Sequence, residues 1–177
     1  MRTVYDAADV RRTIESLVDR IAASFSRETP LNIVGIRTRG EVLTERIVRG
    51  LGSRGFSRIG RGVLDITLYR DDLSEIGPKP IVRPTEINIG IDALPLLLVD
   101  DVLFTGRSIR AALDALSDFG RPSAVRLAVL VDRGGRELPI HADFVGLTCQ
   151  DIPREHRVNV RLAEIDGRDE ILVEPRT

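Results

Sequence analysis

Asp100 and Asp101 form an adjacent acid pair at the end of an apolar run, and Thr105, Gly106, Arg107 and Ser108 follow shortly after them. Two neighbouring carboxylates can accept hydrogen bonds from sugar hydroxyls or coordinate a hard divalent cation. They repel a phosphate. The residues that follow suit the opposite task. At the mouth of a helix, unpaired backbone N–H groups and the positive end of the helix dipole attract an anion, glycine lets it approach closely, and the Thr105 and Ser108 hydroxyls can donate. Acids beside an anion cradle describe a site for a phosphorylated sugar, with its hydroxyls on the carboxylates and its phosphate on the helix. A Mg²⁺ ion carried by the same ligand fits the acids equally well.

A second stretch, "GIRTRGE" from Gly35 to Glu41, has the glycine spacing of a P-loop, and "LLLVDD" resembles the acidic strand that would hold its Mg²⁺. The nucleoside-triphosphatase reading fails, because Glu41 stands where the phosphate-binding lysine must be. Arg37 taken alone reads as a solvated loop residue.

Both stretches need strands that end at a common edge. Val10, Ile14, Leu17, Val18 and Ile21 recur at helical spacing behind Asp9, a capping residue for the first turn. Leu31 to Ile36 form an apolar strand, and Val42, Leu43, Ile47, Val48 and Leu51 return to helical period up to Gly52. "VLDITLYR" at 63–70 reads as a strand; the proline-rich, charged "DDLSEIGPKPIVRPTE" after it reads as a mobile loop. Leu94 to Val99 make the strand that delivers the acids. The helix bearing Ile109, Ala112, Leu113 and Leu116 follows, stopped by Gly120 and Pro122, and residues 125–132 make another buried strand. Phe144 with Val145, then Val158, Val160 and Leu162, then Ile171 to Val173 are short β segments, expected beside the main sheet.

Alternating strands and helices imply an α/β fold, an open and mostly parallel twisted sheet flanked by helices, with ligands bound beyond the carboxyl ends of its strands. The 177 residues suffice for a single domain, with the loop at about 70–90 and tail strands from about 133. With 26 basic against 27 acidic side chains, no global field draws the chain to nucleic acid or to a membrane. Cys149 is the lone cysteine, His141 and His156 are the only histidines, and neither a disulfide nor a protein-only metal site is expected. Without an apolar leader or a membrane-length segment, the chain reads as cytoplasmic.

"LLVDDVLFTGRSI", Leu97 to Ile109, resembles the phosphoribosyl-pyrophosphate (PRPP) motif of type I phosphoribosyltransferases. "GIRTRG", "DITLYRDDLS", "GRPSAVRLAVLVDRGGRELPI" and "ADFVG" occur in the order seen in the pyrimidine-operon regulators that are also uracil phosphoribosyltransferases, so the resemblance covers most of Val10 to Gly146. It implies the fold of that family, with a small β hood and a flexible lid. It also implies formation of UMP and pyrophosphate from uracil and PRPP, with Mg²⁺ bound through PRPP. Asp100 and Asp101 would then hold the ribose, and Thr105, Gly106, Arg107 and Ser108 the 5′-phosphate. Thr38, Arg39 and Gly40 would form the pyrophosphate loop, Tyr69, Arg70, Asp71 and Asp72 the lid, and Val131, Asp132 and Arg133 the base-binding hood. A homodimer or homotetramer is the implied assembly.

The same resemblance implies a second activity, UMP-responsive attenuation of pyrimidine genes through binding of their leader mRNA. Arg11, Arg12, Arg133 and Arg136 are the candidate RNA contacts. The pattern departs from relatives at Gly135, at His141 and over Leu147 to Ile152, and Glu15 and Asp19 place negative charge on the opening helix, where RNA would be repelled. Two alternatives therefore stand beside the bifunctional reading: an RNA-binding UMP sensor with little catalysis, and a transferase that has lost RNA binding.

Overall fold

The structure, a computed structural model, describes residues 2–71, 82–149 and 151–176. Strands β2 (Leu31–Ile36), β3 (Ile59–Leu64), β4 (Pro95–Leu103), β5 (Ala124–Asp132) and β6 (Phe144–Thr148) form a five-stranded sheet in the order β3-β2-β4-β5-β6, every neighbouring pair parallel. Helices α1 (Ala7–Ser24), α2 (Arg39–Gly52) and α3 (Arg107–Leu116) supply the crossovers and covers. A second sheet, antiparallel and ordered β1-β8-β7, joins Arg2–Tyr5, Glu170–Pro175 and His156–Arg161, with the short helix α4 (Ala163–Asp166) between β7 and β8.

Alternation along β4 separates two cores. Leu97 and Val99 pack with Val10, Ile14, Leu17 and Ile21 of α1, Leu43 and Ile47 of α2, and Val158, Val160 and Ile171 of the small sheet. Leu96 and Leu98 face the other way, onto Ile109, Ala112 and Leu116 of α3. The near-continuous apolar character of β2, β4 and β5 follows from cover on both faces.

Several sequence expectations shift. The helix cap is Asp6, not Asp9: the Asp6 carboxylate accepts from the N–H groups of Ala8 and Asp9 (both 2.9 Å) while Asp9 accepts from the Asp6 N–H, so Asp9 is the inner half of a capping box. The strand expected at 63–70 starts earlier and ends at Leu64. Asp65 then accepts from Thr67 N (2.7 Å) and Arg83 N (2.8 Å), which turns the chain into a 3₁₀ turn at Thr67–Tyr69 and pins the two ends of the following loop together. Of the tail segments, Phe144–Thr148 does join the main sheet. The last two instead form a separate sheet with the N-terminal strand, β8 pairing with both β1 and β7, and Val158, Val160, Leu162 and Ile171 bury against the α1 and α2 side.

Candidate functional site

Strand β4 runs on to Leu103, so the acid pair lies within it and not after its end. Pairing of β4 with β2 stops at Gly35 and Val99, whereas pairing with β5 continues from Asp100 opposite Val129 to Leu103 opposite Asp132. A crevice therefore opens at Asp100. Chain leaving β2 enters α2 on one face and chain leaving β4 enters α3 on the other, the switch point at which open α/β sheets bind ligands.

Asp100 is only 8% exposed. Burial first, and then the charge of Asp101, push its carboxyl well above the ordinary carboxylate range. Asp101 is also raised by burial, opposed by its hydrogen bond with Asp100 and by the charge of Arg39. The Asp101 N–H donates to Asp100 Oδ1 at 2.9 Å. Burial thus opposes ionisation of both carboxyls.

That shift has a stability consequence. Above pH 3.8, the ordinary value, the unfolded chain gives up the Asp100 proton while the folded chain keeps it. The folded state then binds more protons, so stability falls as pH rises until the folded carboxyl ionises. Asp100→Asn removes this penalty, so thermal unfolding should show a larger gain over the parent at pH 7 than at pH 4. Equal differences at the two pH values would contradict it.

Gly106 caps α3 at φ +92°, a conformation a side chain rarely adopts, and its ideal Cβ would meet Ile140 Cβ at 3.3 Å and Leu138 Cβ at 3.4 Å. A cleft of about 540 Å³ opens over this helix end, walled by Thr105, Gly106, Arg107 and Ser108 together with Phe104, Arg154 and Arg176. The Arg107 guanidinium is engaged by Glu137 (2.9 Å) and Asp71 (2.6 Å), which leaves backbone N–H groups and hydroxyls as the cradle.

A second cleft of about 390 Å³ shares Arg70, Val102 and Ser108 with the first and contains Asp100, Asp101, Thr38, Arg37 and Arg83. The peptide bond between Arg37 and Thr38 is cis. The two arginines of "RTRG" sit differently from expectation. Arg37 is no solvated loop residue: its side chain is 14% exposed, bonded to Glu86 at 2.7 Å, and forms part of the cleft wall. Arg39 is absent from both walls and donates to Asp166 of α4 at 3.0 and 3.3 Å. Gly40 is buried against β4.

Of the expected lid residues, Tyr69 donates its hydroxyl to Asp118, Arg70 borders both clefts, and Asp71 pairs with Arg107 and with Arg110 (3.5 Å). Asp72 lies outside the described residues. In the hood, Val131 has its side chain wholly in the core, and Asp132 accepts from Gly134 N (2.8 Å) and pairs with Arg136. Arg133 is buried, donates to His156 O at 2.8 Å and stacks 3.8 Å from the centre of the Phe104 ring. Arg136 also donates to the carbonyls of Ile140 and Phe104, both at 2.8 Å, and its side chain is 16% exposed. On α1, Arg11 is exposed beside Glu15 and Asp19, and Arg12 pairs with Asp9 at 2.5 Å. Sequence reasoning missed Arg154, Arg176 and Asp166. They reach the site from the tail, and no local pattern marks them.

The phosphoribosyl transferase domain family matches residues 6–164. A relative named bifunctional protein PyrR from Roseiflexus sp. (strain RS-1) is 51% identical over 168 residues, covering 94% of this chain and 90% of its own. The protein of the same name from Chloroflexus aurantiacus is 48% identical over 174 residues, covering 97% and 94%. Among solved structures, the hypoxanthine phosphoribosyltransferase of Trypanosoma cruzi superposes with a TM-score of 0.74 at 18% identity, covering 99% of this chain and 98% of that one. A hypoxanthine phosphoribosyltransferase from Staphylococcus aureus gives 0.69 at 19% identity, covering 96% and 90%. At these identities the structures speak to the fold.

Proposed function

The chain belongs to the phosphoribosyl transferase domain family as one of its bifunctional PyrR proteins, and from that premise we propose that it makes UMP and pyrophosphate from uracil and PRPP. The observation that carries the reading is the acid pair at the switch point beside a glycine-capped helix end, with both clefts meeting at Ser108. Uracil N1 bonds to the ribose C1 as the bond from C1 to the diphosphate oxygen breaks, the N1 proton passes to water or the departing diphosphate, and positive charge gathers on the ring. Asp100 and Asp101 hold the ribose hydroxyls and stabilise that charge. The backbone of Gly106 and Arg107 with the Thr105 and Ser108 hydroxyls takes the 5′-phosphate. Thr38, Gly40 and the inward-facing Arg37 receive the diphosphate, with Arg39 behind them. Arg70 and Asp71 border the entrance, and closure there excludes water from the reacting carbon. The base lies toward Asp132 and Arg133, close to Phe104.

Among the described residues no group of three or more His, Cys, Asp or Glu side chains stands ready to hold a metal. Asp100 and Asp101 offer hard oxygen donors that would meet an ion arriving on the diphosphate, and Mg²⁺ so bound would neutralise the leaving group. No helix among the described residues is long and apolar enough to cross a membrane, and we assign the protein to the cytoplasm. We further assign it a homo-oligomeric state and UMP-dependent binding of pyrimidine leader RNA; of the candidate contacts, Arg11 and Arg12 are exposed, Arg12 while paired with Asp9.

The test offers the protein PRPP and Mg²⁺ with uracil, hypoxanthine, guanine or orotate in turn and follows nucleotide formation. UMP alone is expected; a purine nucleotide or no product would refute the assignment. In parallel, leader RNA titrated with and without UMP should bind more tightly with it, with affinity falling as salt rises. Transfer without any RNA binding would leave an enzyme only.

A further inference from the structure

Helix α4 of the small sheet faces two arginines of α2, and the two contacts differ in kind. Arg46 is gripped by Glu164 (2.5 and 2.9 Å) and by Asp169 (2.7 and 2.8 Å), a pairing that fastens the small sheet to the body. Arg39 donates through one nitrogen to both carboxylate oxygens of Asp166, and its Nε is buried without a hydrogen-bond partner. It immediately precedes Gly40, whose backbone lies so close to β4 that an added Cβ would sit 2.5 Å from Val99 O and 3.3 Å from Asp100 Cα. Asp101 lines the same cleft as Thr38, and the Arg39 charge acts on it. Asp166 is itself oriented, since its Oδ2 also accepts from Leu162 N at 2.9 Å.

We propose that Asp166 is a positioning residue: by holding Arg39 it fixes the first turn of α2, and with it the Thr38–Gly40 loop, against the acidic end of β4, so that the small sheet tunes diphosphate binding without touching the ligand. This rests on the phosphoribosyl-transfer reading. Asp166 lies beyond residue 164, where the match to the domain family ends. A side chain on a four-residue helix more than a hundred positions along the chain thereby sets the geometry of the loop that receives the leaving group.

The experiment compares the full-length parent with D166N, D166E and E164Q by calorimetric titration with PRPP and Mg²⁺, by thermal unfolding and by steady-state kinetics. Asparagine keeps an oxygen for Leu162 N but loses the ionic hold on Arg39. D166N should weaken PRPP binding roughly tenfold while leaving the KM for uracil unchanged. D166E restores the charge and should recover most of that affinity. E164Q cuts a comparable bond to Arg46 and should lower the melting temperature with PRPP affinity intact. Parent-like PRPP binding in D166N, equal losses in D166N and E164Q, or D166E as weak as D166N would each overturn the proposal. A parent that binds PRPP yet forms no UMP would instead sink the transferase reading, and the PRPP titrations would still decide the role of Asp166.

Discussion

Asp100→Asn combined with Asp101→Asn is expected to lower kcat for UMP formation by roughly a thousand-fold, with the fold intact. The proposed reaction builds positive charge on a ribose ring that these side chains would hold, in a crevice where Asp100 is almost fully removed from water. Charge interactions there are far less screened than at a surface. Asparagine still accepts hydrogen bonds from sugar hydroxyls, so the ground-state complex should survive better than the transition state, and the loss should fall on kcat more than on the KM for PRPP. The double variant also removes the buried Asp100 carboxyl and the partly buried Asp101 carboxyl, both of which resist ionisation. Its melting temperature at pH 7 should match or exceed that of the parent, which separates lost chemistry from lost structure. Turnover close to the parent rate would mean that the ribose does not sit on these acids.

Gly40→Ala should be among the most damaging single-methyl additions to the described residues. The contact it would make is with backbone, Val99 O at 2.5 Å, and no flexible side chain can give way. The first turn of α2 would have to lift off β4 beside the acid pair, an overpacking penalty of about 1–3 kcal/mol. Displacing the Thr38–Gly40 loop by even a fraction of an ångström misaligns the diphosphate, so PRPP affinity should fall by roughly a hundred-fold. Gly52→Ala at the other end of the same helix is the control, because its Cβ would meet nothing within 4 Å. It should be neutral or stabilising by about 0.4–1 kcal/mol. Unfolding curves and PRPP titration of the two variants check both statements, and parent-like PRPP binding by Gly40→Ala would show that the loop does not hold the diphosphate.

The acid pair on its strand and the glycine-capped helix start were legible because they are local. Asp100 to Ser108 lie on one strand, one turn and one helix start, where each residue type is selected by a job its immediate neighbours define: apolar residues to bury the strand, carboxylates where β2 stops pairing, glycine where φ is positive. The parallel sheet was legible for the same reason, since continuous apolar runs need cover on both faces. The family match over residues 6–164 and the relatives at 46–51% identity agree with the resemblance carried by those stretches.

What the chain could not announce by itself are contacts between segments far apart in sequence. Two acids three residues apart, Asp6 and Asp9, offer the same cap on paper, and the hydrogen-bond geometry chooses the first. Arg37 and Arg39 are two cations in one short loop, and only the presence of Glu86 on one side and Asp166 on the other decides which faces the cleft. Arg136 looks like free surface charge until the carbonyls of Phe104 and Ile140 close on it. The final two strands form a sheet with the N-terminal one, in the order β1-β8-β7, because their apolar faces find a surface made by α1 and α2, which exists only once the chain has folded. Periodicity and motif spacing record the forces acting along a segment. Which distant side chain arrives to satisfy a buried charge is settled by packing, and that decided the walls of this site.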